Sequence, residues 1–154
     1  MTRRKLNNDG MAQYFTLKEL CTTTHKEFDN FPTFEIAAHL EELTWNLLDP
    51  LRRAWGSAIK VNSGYRCTKL NTAVGGVATS AHKTGYAADL HPANGKVEDF
   101  CRFARTWVLA NRIKFDQLIR ETDKKTGVVW LHIGLYGPGK VQRGQILDIR
   151  SNED

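Results

Sequence analysis

Two polar side chains lie in apolar surroundings where each of them needs a partner. Asp89 is embedded in the run Tyr-Ala-Ala-Asp-Leu, and His132 in Val-Val-Trp-Leu-His-Ile. Burying a carboxylate or an imidazole is costly unless the group is hydrogen-bonded, paired or bound to a metal ion. A third candidate, His82, lies in a segment of small residues that is typical of an exposed loop.

Together these three side chains have the donor types that a catalytic zinc ion uses, namely imidazole nitrogen and carboxylate oxygen. His82 and Asp89 are an odd number of positions apart, so a straight strand would place them on opposite faces. Gly85 lies between them and allows the chain to turn. Residue types alone leave alternatives open, because each histidine could be a hydrogen-bonded core residue and Asp89 could pair with Arg66 or Arg120.

The helix that supplies much of the predicted core begins near Thr33. Its apolar residues recur at steps of three or four along one face: Ile36, Leu40, Leu43, Leu47 and Leu51. Pro50 removes one backbone donor, so it is expected either to kink this helix or to restart it with Asp49 as the cap. Gly56 is expected to end it.

Shorter patterns predict the remaining elements. A capping box at Thr16 and Glu19 predicts a short first helix, and another helix is predicted at about residues 96–111. Apolar runs predict strands at residues 58–62, 87–90, 115–121, 128–135 and 145–149, and the polar segment 122–127 predicts a hairpin. This order predicts an α+β fold with a small antiparallel sheet and flanking helices.

Composition indicates one ordinary globular domain. The 154 residues are 41% hydrophobic and 25% charged, which suits a single core. We interpret residues 1–13 as a flexible tail and residues 14–154 as the domain. The basic N-terminus is not followed by an apolar run, so we expect no secretory signal peptide and synthesis in the cytoplasm. A target outside the membrane would then have to be reached after release or by non-classical export.

Charge and cysteine content limit the classes of partner and of metal site that the chain can have. The net charge of +5 favours anionic partners, but the basic residues are scattered, so we expect no nucleic acid. No apolar stretch is long enough for stable membrane insertion, and we expect a monomer. The 3 cysteines form no C-x-x-C pair, which argues against a cysteine-rich structural zinc site and fits reduced thiols.

Several segments in a fixed order resemble the zinc D-alanyl-D-alanine carboxypeptidase family. They are Ser-Gly-Tyr-Arg at 63–66, Leu-Asn at 70–71, Gly-Gly at 75–76, Ser-Ala-His-Lys-Thr-Gly-Tyr-Ala-Ala-Asp at 80–89, and Trp-Leu-His-Ile at 130–133. The superfamily includes VanX-type dipeptidases, phage endolysin peptidases and hedgehog domains. Tyr-Phe-Thr-x-x-Glu-Leu at 14–20 resembles the start of the short phage- and prophage-associated branch.

This resemblance implies a hedgehog/DD-peptidase-like fold and a Zn²⁺ ion held by His82, Asp89 and His132. It implies hydrolysis of peptidoglycan stem peptides, either as a carboxypeptidase or as an endopeptidase. Arg66 matches the family arginine that faces the substrate, where it would steady oxygen charge during catalysis. Arg66 could instead only pair with Asp89 or with a helix terminus.

Further residues would line the substrate site. They are Ser80, Tyr65 and Trp130, although aromatic residues more often belong to a core. His91 is expected to lie beside the ligands without binding the metal, and His25 and His39 are expected to be surface or helix residues.

One position departs from the family pattern. Dipeptidase relatives have a glutamate three residues before the last histidine, where this chain has Val129. We predict Glu121 as the general base, because a hairpin could return it beside His132. Asp116 and Gln117 are lesser candidates. Glu121 could instead be a solvated carboxylate that pairs with a hairpin lysine, and the protein would then be a non-catalytic, zinc-stabilised cell-wall or protein-binding module.

Overall fold

A mixed sheet with flanking helices forms the protein, and the computed structural model describes residues 14–151 of it. The helices are α1 (Leu17–Leu20), α2 (Phe34–Leu43), α3 (Asp49–Trp55), α4 (Thr68–Ala73) and α5 (Val97–Ala110); the strands are β1 (Ile59–Ser63), β2 (Ala87–Pro92), β3 (Gln117–Asp123), β4 (Val129–Gly134) and β5 (Gln145–Ser151). The predicted tail at residues 1–13 lies outside the described residues. None of the described helices combines the length and the apolar character needed to cross a membrane.

The sheet has the strand order β1-β2-β4-β3-β5. The α+β prediction is confirmed, and β3 and β4 form the predicted antiparallel hairpin. The prediction of a purely antiparallel sheet is wrong, because β5 runs parallel to β3.

The connection between β4 and β5 explains this direction. β4 ends at Gly134 opposite Gln117, the first residue of β3. The chain then returns to the same end of β3, where Arg143 donates to both Asp116 carboxylate oxygens at 2.7 Å. Since β5 enters the sheet beside the beginning of β3, it must run in the direction of β3.

The predicted apolar stripe is the buried face of the helices that follow Thr33. Leu40, Leu43, Leu47 and Leu51 are fully buried and Ile36 is partly buried. The Thr33 hydroxyl caps α2 by accepting from the Ile36 amide at 3.2 Å. Before Pro50 the chain makes a π-helical turn, Thr44–Leu48, and α3 then begins at Asp49. This wider turn accommodates the proline ring, which would clash with the carbonyl four residues earlier in a regular helix.

The short helix α1 is hydrogen-bonded to the backbone just after β1. Its predicted capping box is present, because the Thr16 hydroxyl accepts from the Glu19 amide and the Glu19 carboxylate accepts from the Thr16 amide. The Tyr65 amide then donates to the Leu20 carbonyl at 2.7 Å. A Cβ atom at Gly64 would lie 2.2 Å from that same oxygen. Only glycine therefore allows the chain after β1 to approach α1 this closely.

We expect Gly64→Ala to lower the free energy of unfolding by about 2 kcal/mol or more, because two backbone segments must move apart. Gly127→Ala is the matched control: Gly127 has a φ of +74° and no atom within 4 Å of an added Cβ. It should cost only about 1 kcal/mol, the penalty for a left-handed alanine. Urea unfolding of both variants measures the difference, and equal losses would contradict the close approach at Gly64.

Candidate metal centre

Asp89 and His132 are direct neighbours across two central strands. Asp89 of β2 pairs with His132 of β4 in the antiparallel register, so both side chains project from the same face. His132 Nδ1 lies 3.0 Å from Asp89 Oδ1. This face is opposite the one that carries Ala88, Leu90 and Leu131 into the main apolar core.

The third side chain, His82, comes from a 3₁₀ turn, Ala81–Thr84, that precedes β2. Gly85 ends this turn with a φ of +84°, which confirms the expected change of chain direction before Asp89. His82 Nε2 lies 3.2 Å from Asp89 Oδ1 and 3.2 Å from His132 Nδ1. The structure thus brings together the three side chains that the sequence singled out.

Hydrogen bonds to two carbonyls fix this turn. His82 Nδ1 lies 2.7 Å from the Gly64 carbonyl oxygen, so the nitrogen must be the donor and Nε2 faces the cluster. His39 of α2 donates in the same way to the Thr84 carbonyl at 2.7 Å. His39 was expected only to be a surface or helix residue, because nothing in the sequence shows which distant carbonyl it meets.

The cluster fits a divalent cation. The three ligand atoms all lie within 4.8 Å of one another, and the closest separations, 3.0 to 3.2 Å, resemble the distance of about 3.3 Å between donors in a tetrahedral zinc site. With Nδ1 donating to the Gly64 carbonyl, Nε2 of His82 presents a lone pair whenever the ring is not doubly protonated. That lone pair faces a carboxylate oxygen, and only a proton or a metal cation between them makes the approach favourable.

The second oxygen of Asp89 binds Arg66. Arg66 Nη2 lies 3.2 Å from Asp89 Oδ2, Nε donates to the Ser63 hydroxyl at 3.0 Å, and Nη1 donates to Asn71 Oδ1 at 3.4 Å. The alternative prediction for Arg66, an ion pair with Asp89, is therefore present. Arg66 is only 1% exposed, so its contact with a substrate stays a prediction. Asn71 belongs to the Leu-Asn segment at 70–71, but its residue type alone does not predict this contact with Arg66.

Opposing effects set the charge of Asp89. Burial by itself would raise the pKa of this carboxyl group, but the charges and hydrogen bonds of His82 and His132 more than offset that effect. The net result is a pKa well below the ordinary value for an aspartate. Asp89 is therefore an anionic oxygen donor at neutral pH.

Glu121 lies on the same face as His132. The hairpin pairs Glu121 with Trp130 and Ile119 with His132, so Glu121 and His132 are diagonal neighbours. Glu121 is 6% exposed and accepts from the Trp130 indole at 2.8 Å, so it is not the solvated strand-end carboxylate of the alternative reading. Its role as general base stays a prediction. Val129 packs against the core from the opposite face.

The lesser candidates for the base are engaged elsewhere. Asp116 is buried against Arg143, and Gln117 donates to Gln145 at 2.9 Å. His91 is exposed on the same face of β2 as Asp89 and contacts Asn62. His25 belongs to the loop before α2, where its Nδ1 lies 3.8 Å from Glu27 Oε1.

Two predicted substrate residues flank the cluster. Ser80 caps the 3₁₀ turn by accepting from the His82 amide at 3.2 Å, and the half-buried Tyr65 lies between Gly64 and Arg66 in the chain. The Trp130 ring is buried, with its N–H directed at Glu121. Contact of these three residues with a substrate stays a prediction.

Comparison with known proteins assigns the chain to a family. The family described as Peptidase M15 matches residues 13–124, which is more than half of the chain. The match includes His82, Asp89 and Glu121, whereas His132 follows its end. No curated protein matches the chain closely enough to count as a relative. The protein therefore belongs to the peptidase M15 family of zinc-dependent metallopeptidases.

Proposed function

We propose that this protein is a zinc-dependent peptidase that hydrolyses the stem peptides of peptidoglycan. The observation that carries the proposal is the convergence of His82, Asp89 and His132 in a chain of the peptidase M15 family. The choice of substrate rests on the resemblance to D-alanyl-D-alanine carboxypeptidases in segments 63–66, 80–89 and 130–133. Both terminal D-Ala-D-Ala cleavage and internal cleavage are compatible with these residues. A role in wall degradation of the phage or prophage type follows from the same resemblance.

The metal would be held by His82 Nε2, His132 Nδ1 and an oxygen of Asp89. When bound there, zinc supplies Lewis acidity, which acidifies water and polarises a peptide carbonyl. The Gly64 carbonyl holds the His82 ring in the tautomer that directs a lone pair at the cluster. Arg66 orients Asp89 by binding its other oxygen.

Proton transfer is assigned to Glu121. Its carboxylate would take a proton from the attacking water and pass it to the leaving amine. The Trp130 indole N–H holds one carboxylate oxygen on the face that carries His132. Glu121 on β3 is therefore oriented by the buried Trp130 side chain on the neighbouring strand β4.

The metal site predicts a large thermal shift. Zinc at about 1,000 times its dissociation constant stabilises the folded state by about 4 kcal/mol, which raises Tm by roughly 8 to 16 °C for a domain of this size. His132→Ala should abolish most of that shift. Calorimetric melts with and without zinc, together with metal analysis for one zinc per chain, measure both effects.

His91→Ala is the matched control for this experiment, because His91 is exposed on the same face of β2 as Asp89. It should keep the full zinc shift. An equal shift in His132→Ala and wild type would show that zinc binds somewhere else.

Cell-wall hydrolysis tests the function itself. Zinc-loaded protein incubated with purified peptidoglycan should release either free D-alanine or cleaved stem peptides, identified by mass spectrometry. A chelator and His82→Ala should each abolish the products. An intact wall with zinc bound to the protein would instead support the non-catalytic binding module.

Glu121→Gln should lower turnover by about 100- to 10,000-fold, the usual contribution of a general base, because the amide cannot accept the proton. The zinc-induced Tm shift should remain. Glu35→Gln, a change of the same type at an exposed position of α2, should leave turnover unchanged. Near-normal turnover in Glu121→Gln would remove this residue from the mechanism.

A further inference from the structure

An open groove of about 530 Å³ lies beside α1, along the loop that leads to α2. Apolar parts of its lining come from Leu17, Phe28, Phe31 and Pro32. Phe31 is 83% exposed, so its ring is accessible to a ligand in the groove. The volume is within the range of pockets that hold small molecules or short peptide segments.

The charged residues in the lining of this groove are two lysines. Lys18 and Lys26 belong to the lining, and no aspartate or glutamate does. Within residues 14–151, neither lysine forms an ion pair. An apolar lining whose charged groups are two lysine ammonium groups is complementary to a ligand that carries both aliphatic parts and carboxylates.

Hydrogen bonds connect the groove to the metal cluster. Asn30, which lines the groove, donates to the Tyr65 carbonyl at 2.8 Å and accepts from the Cys67 amide at 2.8 Å. The residues on either side of Tyr65 contact the cluster directly, through the Gly64 carbonyl on His82 and the Arg66 guanidinium on Asp89. Residues 64–67 therefore contact both a residue of the groove lining and the predicted zinc ligands.

We propose that the groove binds an acidic, partly apolar peptide segment of the substrate, remote from the bond that is cut. The inference deepens the proposed function and rests on it for the identity of the substrate. The methyl groups and aliphatic chain of such a segment would contact Phe28, Phe31 and Pro32, and its carboxylates would pair with Lys18 and Lys26. The site would thus select long, anionic peptides over short, neutral ones.

Binding to metal-free protein tests the groove without any turnover. The probe is a pentapeptide that ends in D-Ala-D-Ala and carries one free glutamyl carboxylate; its analogue has that carboxylate amidated. Calorimetry should show that the acidic peptide binds more tightly. Lys26→Ala should weaken its binding about threefold, as expected for one exposed ion pair, and Lys18→Ala with Lys26→Ala together about tenfold. Neither change should alter binding of the amidated peptide.

Phe31→Ala should weaken both peptides about tenfold, through the lost aromatic contact. Lys125→Ala and Leu109→Ala are the controls, since they make similar changes at exposed sites on the hairpin turn and on α5. Circular dichroism confirms that every variant is folded.

Three results would overturn the groove proposal. They are equal binding of the two peptides, variants that bind like the controls, and light scattering that shows dimers lost only in Phe31→Ala. Binding of anionic phospholipid vesicles in place of the peptide would do the same.

The outcome is separable from that of the cell-wall experiment. A cleaved wall with no groove effect removes the groove proposal alone. An intact wall with the full groove effect removes the peptidase proposal and leaves a peptide-binding site.

Discussion

A single buried carboxylate dictates the arrangement of this end of the protein. Asp89 is 1% exposed in a central strand, and an ionised carboxylate in that position is tolerated only when both oxygens are satisfied. One oxygen faces His82 and His132, and the other faces Arg66. Three separate parts of the chain, which carry Arg66, His82 and His132, therefore converge on Asp89.

The same requirement couples metal binding to folding. Two imidazole nitrogens and a carboxylate oxygen within about 3.2 Å repel one another unless a cation lies among them. Protons or a metal ion can supply that positive charge, and ligands held together in advance lose little entropy when the ion binds. The Gly64 carbonyl accepts from the His82 ring and the Ser80 hydroxyl accepts from the His82 amide, so this organisation is a property of the fold.

The sequence predicts those features that follow from local chemistry. Asp89 and His132 stand out because their neighbours are apolar, and the Thr33 helix stands out because its leucines have a helical period. The direction of β5 is not predictable in this way, since it depends on where the connection after β4 returns the chain, which is beside Asp116 at the start of β3. The groove is formed largely by an irregular loop, and no periodic pattern signals such a surface.

Positions 129 and 132 lie on opposite faces of strand β4. Side chains at 130 and 132 project from the face that carries the cluster, so residue 129 projects into the core. A glutamate at this partly buried position would project away from the face of the metal ligands. Glu121 is on the neighbouring strand and opposite Trp130, which returns a carboxylate to the face of His132. In this sheet the carboxylate that lies on the face of His132 is therefore supplied by β3 and not by position 129 of β4.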